Sequence, residues 1–329
     1  MHKIAILLVT YIGDIEYVER LIPNYKKYNV DKIPLYIVAP SSDIKAFEKF
    51  VGDNIELLTY ESITDNLVHD HSVGGIRPGY INQEIIKLAF WEKRLCENYF
   101  CMDSDGQFVR DFYISDFMYD DDTPFTILVE DNELAVEPEY YKKYWAGREK
   151  LIRSIQKEVG LVDKRMLTCH GFAILSCKVL ESLYKKYLLP NNLKYRDLLN
   201  KSPYEFSWYN MWLQKDKTID IQFREPIVKI FHHKNHHLEY LQKGITLDDI
   251  ARGYLGVVVN SNYSRWDGVV SYEDGDIYEL SIKEINQLLY KIIRSLLRKP
   301  RTLMIKLRAK IIKSKGRHQL MTWLKLDSK

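Results

Sequence analysis

The stretch "NYFCMDSDGQFVRDF", Asn98 to Phe112, decides how this chain is read. An apolar and aromatic run stops abruptly at Asp103, Ser104, Asp105 and Gly106. The run has the residue types of a buried strand, and side chains on an extended backbone alternate with period two. Asp103 and Asp105 therefore project to the same side where the strand ends. Desolvating a charge is expensive unless it is paired, so this strand end expects a cation, a basic side chain or water. Asp-Ser-Asp-Gly is also good turn chemistry, and the four residues alone leave both readings open.

Upstream, strands and helices alternate. "KIAILLVTY" is a continuous apolar run, as in a central strand covered on both faces. "GDIEYVERLIPNYKKY" follows with Ile15, Val18, Leu21, Ile22 and Tyr25 at helical spacing. "IPLYIVAP" predicts a second strand, "SSDIKAFEKFV" a helix capped by Ser42 or Asp43, and "NIELLTY" a third strand. "HDHSVGGIRPGYINQEIIKLAFWEKRL" combines a Gly/Pro-rich loop with a further helix. This order predicts an α/β fold with a mostly parallel sheet. In such sheets ligands sit beyond the carboxyl ends of the strands, where Asp103 and Asp105 fall. Downstream, "PFTILVEDN" and "FAILS" read as strands, "SPYEFSWYNMWLQKD" as an aromatic-rich helix, and "EPIVKIF" as a late strand running into "HHKNHH".

Composition sets bounds. With 329 residues and 46% hydrophobic content the chain can bury a large core. Its four cysteines form no CxxC pair, and the opening apolar run reads as a strand rather than a leader. A reduced, cytoplasmic protein is expected. The net charge of +3 hides an asymmetry: residues 281–329 hold 14 Lys or Arg against Glu284 and Asp327, a net +12, which leaves −9 on residues 1–280. The predicted organisation is a catalytic domain over 1–280 and a basic amphipathic helical tail over 281–329.

"YFCMDSDGQFVRDF" resembles the strand-then-DxD signature of GT-A nucleotide-sugar glycosyltransferases. "RPGYINQEIIKLAFWEKRL" is similar to a segment of bacterial polysaccharide transferases in which a helix opens with a Gln and carries a Lys one turn later. "VTYIGDIEYVERL" is similar to their first strand and nucleotide loop. The resemblance covers about residues 1–240. It implies a GT-A fold, with Asp103 and Asp105 holding Mn²⁺ or Mg²⁺ against the diphosphate of a nucleoside-diphosphate sugar. It further implies that Thr10, Tyr11 and Asp14 hold base and ribose, and that Ser104 lies in the donor site. Gln83 and Lys87, one helical turn apart, would face the donor. Lys87 would meet phosphate as a point charge and Arg77 bidentately. A late histidine, His232 or His233, would supply a third metal ligand, while His236 and His237 read as a solvated loop.

An inverting transfer needs a carboxylate to take the acceptor's proton. Glu205 is chosen as that base, with Trp208 and Tyr209 as sugar platforms and His170 and Gly171 lining the acceptor pocket. The resemblance implies that the acceptor is a glycan or lipid-linked saccharide of a bacterial surface polysaccharide. The tail repeats Ile285, Leu288, Leu289, Ile292, Ile293, Leu296 and Leu297 at helical spacing with Lys and Arg between them. That pattern fits an anionic membrane surface, on the inner face of the cytoplasmic membrane. A sugar nucleotidyltransferase is a rival reading, but "TYIGDIEY" lacks the Gly-rich basic loop it would need. A non-catalytic glycan-binding scaffold is another. Nucleic acid is not an expected partner, since the body is acidic and carries no such motif.

Overall fold

Five strands form the central sheet: β1 (His2–Val9), β2 (Leu35–Ala39), β3 (Ile55–Thr59), β4 (Cys96–Met102) and β7 (Ile174–Ser176). Their order across the sheet is β3-β2-β1-β4-β7. The first four run parallel and β7 lies antiparallel against β4. This computed structural model describes residues 1–52, 54–128, 138–161, 171–261, 269–277 and 289. The chain divides into two compact units, Met1–Gly275 and Asp276–Lys329. Nearly all of the second unit, including the predicted basic tail, lies outside the described residues.

The apolar runs explain the sheet. From Ile4 to Val9 every residue of β1 is buried, and all five residues of β2 are buried. Strands covered on both faces read as continuous apolar segments in this way. Helix α1 (Ile15–Tyr28) buries Tyr17, Val18, Leu21, Ile22 and Tyr25 on one stripe. The Tyr25 hydroxyl donates to the Ile33 carbonyl at 2.6 Å and ties that stripe to the start of β2. Short helices α2 (Ile44–Phe47) and α3 (Tyr60–Ile63) follow β2 and β3. Helix α4 (Pro78–Ala89) begins with Pro at its first position, where the missing N–H costs no ladder bond. It crosses the sheet to deliver the chain into β4.

Beyond β4 the chain turns at once into β5 (Gly106–Phe108), which pairs with β10 (Gly256–Val259), itself parallel to β9 (Val228–Phe231). A third, two-stranded sheet pairs β6 (Phe125–Thr126) with β8 (Gln222–Phe223). The remaining described helices are α5 (Pro138–Glu158), α6 (Cys177–Leu183), α7 (Tyr195–Lys201), α8 (Glu205–Asp216), α9 (Lys234–Gln242) and α10 (Leu247–Ala251). Among the described residues no helix is long and apolar enough to cross a membrane. The α/β class and the mostly parallel flanked sheet expected from the sequence are present.

Two predictions about local structure change. His236 and His237 do not lie in a solvated loop: both belong to α9, and His237 is buried, its Nε2 2.7 Å from the Tyr272 carbonyl oxygen. Its ring packs with Phe231 and Tyr272. Asp43 occupies the N-cap position of α2 but makes no capping bond. Its carboxylate accepts instead from the Ile12 N–H at 2.8 Å, which fixes the loop after β1.

Candidate active site

The strand order reverses at β1: β2 and β3 lie on one side of it and β4 on the other. The carboxyl ends of β1 and β4 therefore flank the switch point of the sheet, where an open crevice forms. Leu8 pairs with Met102, so Thr10 and Ser104 follow in register. The Ser104 hydroxyl donates to Thr10 Oγ1 at 3.0 Å, and both residues are buried. The Tyr60 hydroxyl donates to the Thr10 carbonyl at 3.0 Å. Tyr11 and Asp14 lie on the loop just beyond, half-buried. The Tyr11 ring folds so closely over Gly13 that a Cβ there would come within 2.5 Å of it.

Asp103 and Asp105 sit on the tight turn between β4 and β5. Gly106 N–H donates to the Asp103 carbonyl, and a Cβ on Gly106 would lie 2.3 Å from the Met102 Cε. Only glycine closes this turn without displacement. The Asp103 side chain is 48% exposed and faces solvent. Asp105 Oδ2 accepts from the Ser261 N–H at 2.8 Å. Burial and the neighbouring Asp103 carboxylate push the Asp105 carboxyl up to about 7. A cation between the two would relieve that crowding.

Beneath Asp103 lies a cluster that the sequence only half disclosed. Lys87 Nζ is 3.2 Å from Glu205 Oε1, 3.3 Å from Asp103 Oδ1 and 3.9 Å from Glu84 Oε1, and sits over the Phe206 ring. Lys87, Glu84 and Glu205 are all buried. Burial opposes the charge on Lys87, but the carboxylates of Asp103, Glu84 and Glu205 overturn it and hold the ammonium above its ordinary range. For Glu205, burial opposes ionisation; the Lys87 ammonium at 3.2 Å outweighs it and keeps the carboxyl below its ordinary value.

These contacts correct several expected roles. Lys87 is an internal ion-pair partner of Asp103 and Glu205 rather than a free point charge awaiting phosphate. Glu205 does not fit a general base, since its carboxylate is buried and turned to Lys87. Trp208 and Tyr209 are core residues: the indole N–H donates to the Ser202 carbonyl at 3.0 Å, and the Tyr209 hydroxyl accepts from the Ser176 N–H at 2.9 Å. Neither has a face for a sugar, because every residue of α8 from Glu205 to Leu213 is buried. Gly171 has φ +95°, and a Cβ there would meet Ile230 Cδ1 at 2.1 Å, so backbone geometry and packing account for the glycine. His170 lies outside the described residues. Arg77 is exposed at the N-cap of α4, beside Gly74 and Gly75 with positive φ.

A hard divalent cation fits the two carboxylates of Asp103 and Asp105, with diphosphate and water left to complete its oxygen shell. Among the described residues no group of three His, Cys, Asp or Glu side chains converges to hold a metal. His232 and His233 are therefore not assembled with the two aspartates. The sheet register nevertheless aligns Ile230, Val258 and Gly106, so His232 leaves β9 at the end where Asp105 enters β5. Glu84 was missed because nothing in its local sequence marks it, and its partners lie on other elements.

Residues 2–250 match the model of a family described as a family of unknown function, DUF6492. The chain belongs to that family. No curated protein matches this DUF6492 chain in sequence. Solved structures of similar backbone course include mouse xyloside xylosyltransferase 1, at 8% identity and TM-score 0.42, covering 79% of this chain and 98% of that one. An active-site mutant of LgtC is similar at 10% identity and TM-score 0.49, over 83% of this chain and 93% of that one. The bifunctional glycosyltransferase WbbM is similar at 12% identity and TM-score 0.45, over 88% of this chain. The DUF6492 chain spans about half of WbbM, 51% of its length.

Proposed function

We propose that the protein is a GT-A glycosyltransferase that moves a sugar, of hexosyl type, from a nucleoside-diphosphate donor to a glycan or lipid-linked saccharide. The observation that carries this reading is the pair Asp103 and Asp105 at the carboxyl end of β4, across the switch point from Thr10. The floor of the crevice is closed by Thr10 and Ser104, and Tyr11 and Asp14 are offered to base and ribose. Gln83, on α4 one turn before Lys87, faces the donor. Arg77 reaches the diphosphate from its loop.

Asp103 and Asp105 would hold Mn²⁺ or Mg²⁺, which when bound supplies charge neutralisation for the departing diphosphate. Lys87 fixes Asp103 from below, and Glu205 fixes Lys87. Transfer then depends on stabilising the leaving group and positioning the acceptor. An inverting course needs a base other than Glu205, which the buried ion pair withholds. The biological setting we propose is synthesis of a bacterial surface polysaccharide, with the basic tail holding the enzyme at the inner face of the cytoplasmic membrane.

The test is a thermal-shift panel of UDP-, GDP-, CMP- and dTDP-sugars with Mn²⁺, followed by donor hydrolysis with the sugar that binds. Ligands that bind only the folded state raise apparent stability. A metal-dependent shift with one nucleotide series is expected. No shift with any donor would refute a donor-binding enzyme, and binding without hydrolysis or transfer would favour a glycan-binding scaffold.

A further inference from the structure

Glu84 is the one member of the buried cluster to which the proposed donor chemistry gives no task. Its side chain is 4% exposed, its Oε1 lies 3.9 Å from Lys87 Nζ, and its Oε2 has no hydrogen-bond partner. Lys87 is already engaged at hydrogen-bonding distance with Glu205 and Asp103. At 3.9 Å the ammonium does not donate to Glu84. Three carboxylates around one ammonium would leave two negative charges without a balancing cation, and burying such charges is prohibitive. Asp103 is partly in water and tolerates its charge; Glu205 is held by Lys87. Glu84 has neither relief.

A single proton resolves the arrangement. Glu84 Oε1 and Glu205 Oε1 approach the same ammonium, at 3.9 and 3.2 Å, so the two buried carboxyls are neighbours. Two carboxylates cannot bond to each other unless one is protonated. Placed on Glu84, the proton gives that side chain a donor aimed at Glu205 and removes the excess charge. Glu205 then spreads one negative charge between the Glu84 acid and the Lys87 ammonium. The second half of the Lys87 charge is left for Asp103.

We propose that Glu84 is a positioning residue, carried as a neutral acid that hydrogen-bonds to Glu205, and that it thereby sets the orientation of Lys87 and Asp103. Its effect on catalysis rests on the role proposed above for Asp103. Were Glu84 ionised, it would draw Lys87 inward and away from Asp103. Burial and the adjacent Glu205 carboxylate hold the Glu84 carboxyl well above its ordinary range, consistent with the neutral form.

The experiment uses the full chain, Glu84→Gln and Glu84→Ala. Gln keeps the donor to Glu205 and the neutral charge, so it separates the neutral-acid role from that of a carboxylate. The infrared difference spectrum of wild type minus Glu84→Gln at neutral pH should contain the carbonyl stretch of a protonated carboxylic acid. Titration with Mn²⁺ alone should give Glu84→Gln within about threefold of wild type and Glu84→Ala weaker by about tenfold or more, the scale for losing a group that orients a metal ligand. A missing acid band, or a Glu84→Gln variant as impaired as Glu84→Ala, overturns the proposal. If wild type itself does not bind Mn²⁺, the metal role of Asp103 fails, and the infrared band with the Lys87–Asp103 separation in a crystal structure of Glu84→Gln decides on Glu84. A separation near the 3.3 Å of the wild type supports it, and a broken pair overturns it.

Discussion

Ser104 and Thr10 share a buried hydrogen bond of 3.0 Å between residues 94 positions apart, and that bond joins the ends of β1 and β4 across the switch point of the sheet. On the turn that follows β4, Asp103 Oδ1 lies 3.3 Å from Lys87 Nζ and Asp105 Oδ2 accepts from the Ser261 N–H, while Ser104 between them is buried against Thr10. The turn thus carries two carboxylates on either side of a hydroxyl that is built into the fold.

Removing one hydroxyl should cost more than removing both. Ser104→Ala or Thr10→Val leaves a buried polar atom or a mismatched pocket, a loss of about 1–3 kcal/mol. The double variant should lose less than the sum of the two. Urea denaturation of the four proteins measures the coupling, and strict additivity would mean that the bond contributes nothing.

Asp103→Asn and Asp105→Asn should abolish transfer and Mn²⁺-dependent donor binding while far-UV circular dichroism stays unchanged. Asp105→Asn should also raise stability near neutral pH, since its carboxyl, pushed up to about 7, must ionise against burial and Asp103. Wild-type turnover by either variant would refute the assignment.

Lys87→Met should destabilise the protein by about 3–5 kcal/mol, because it strands the buried Glu205 charge. Adding Glu205→Gln to Lys87→Met should restore part of that loss, whereas in a wild-type background Glu205→Gln should itself be destabilising. The same four-protein cycle in urea checks this. Glu205→Gln should lower turnover through the altered Lys87–Asp103 pair and should not shift the alkaline or acid limb of the rate profile as loss of a general base would.

Arg94 clamps Glu181 with two hydrogen bonds of 2.6 and 3.1 Å. The hydrogen bonds from Arg94, then Lys185, hold the Glu181 carboxyl down at about 2, against an ordinary 4.5. A carboxyl depressed in the folded state contributes stability that is complete above the unfolded value and lost as pH falls through the folded one. Wild type should therefore lose about 1 kcal/mol more than Glu181→Gln between pH 4.5 and 2, the half-exposed Arg94 limiting the effect. Denaturation midpoints at several pH values measure it.

The basic segment 281–329, with its net +12, should bind vesicles containing anionic lipid and release them at high salt. Cosedimentation of the full chain and of a chain ending at Lys299 tests this. Equal binding by both, or by neither, would show that the segment beyond Lys299 is not the anchor.

The sequence by itself determined the local order of this protein. The unbroken apolar runs of β1 and β2 and the Ile/Leu stripe of α1 are short-range patterns, and they specify a parallel sheet because period and burial are read within a few residues. It also placed Asp103 and Asp105 at a strand end, since that too is a local statement. Tertiary structure decided what the polar residues do. Lys87 and Glu205 meet across 118 residues, and no local pattern encodes that pairing. Trp208 and Tyr209 have the composition of a sugar platform, but α8 is enclosed on all sides over most of its length, so its aromatic rings serve the core. His237 likewise carries a polar ring that only packing against Phe231 and Tyr272 turns inward. Side-chain type fixes what chemistry a residue can perform, but access and partners depend on chain segments that come together only when the molecule folds.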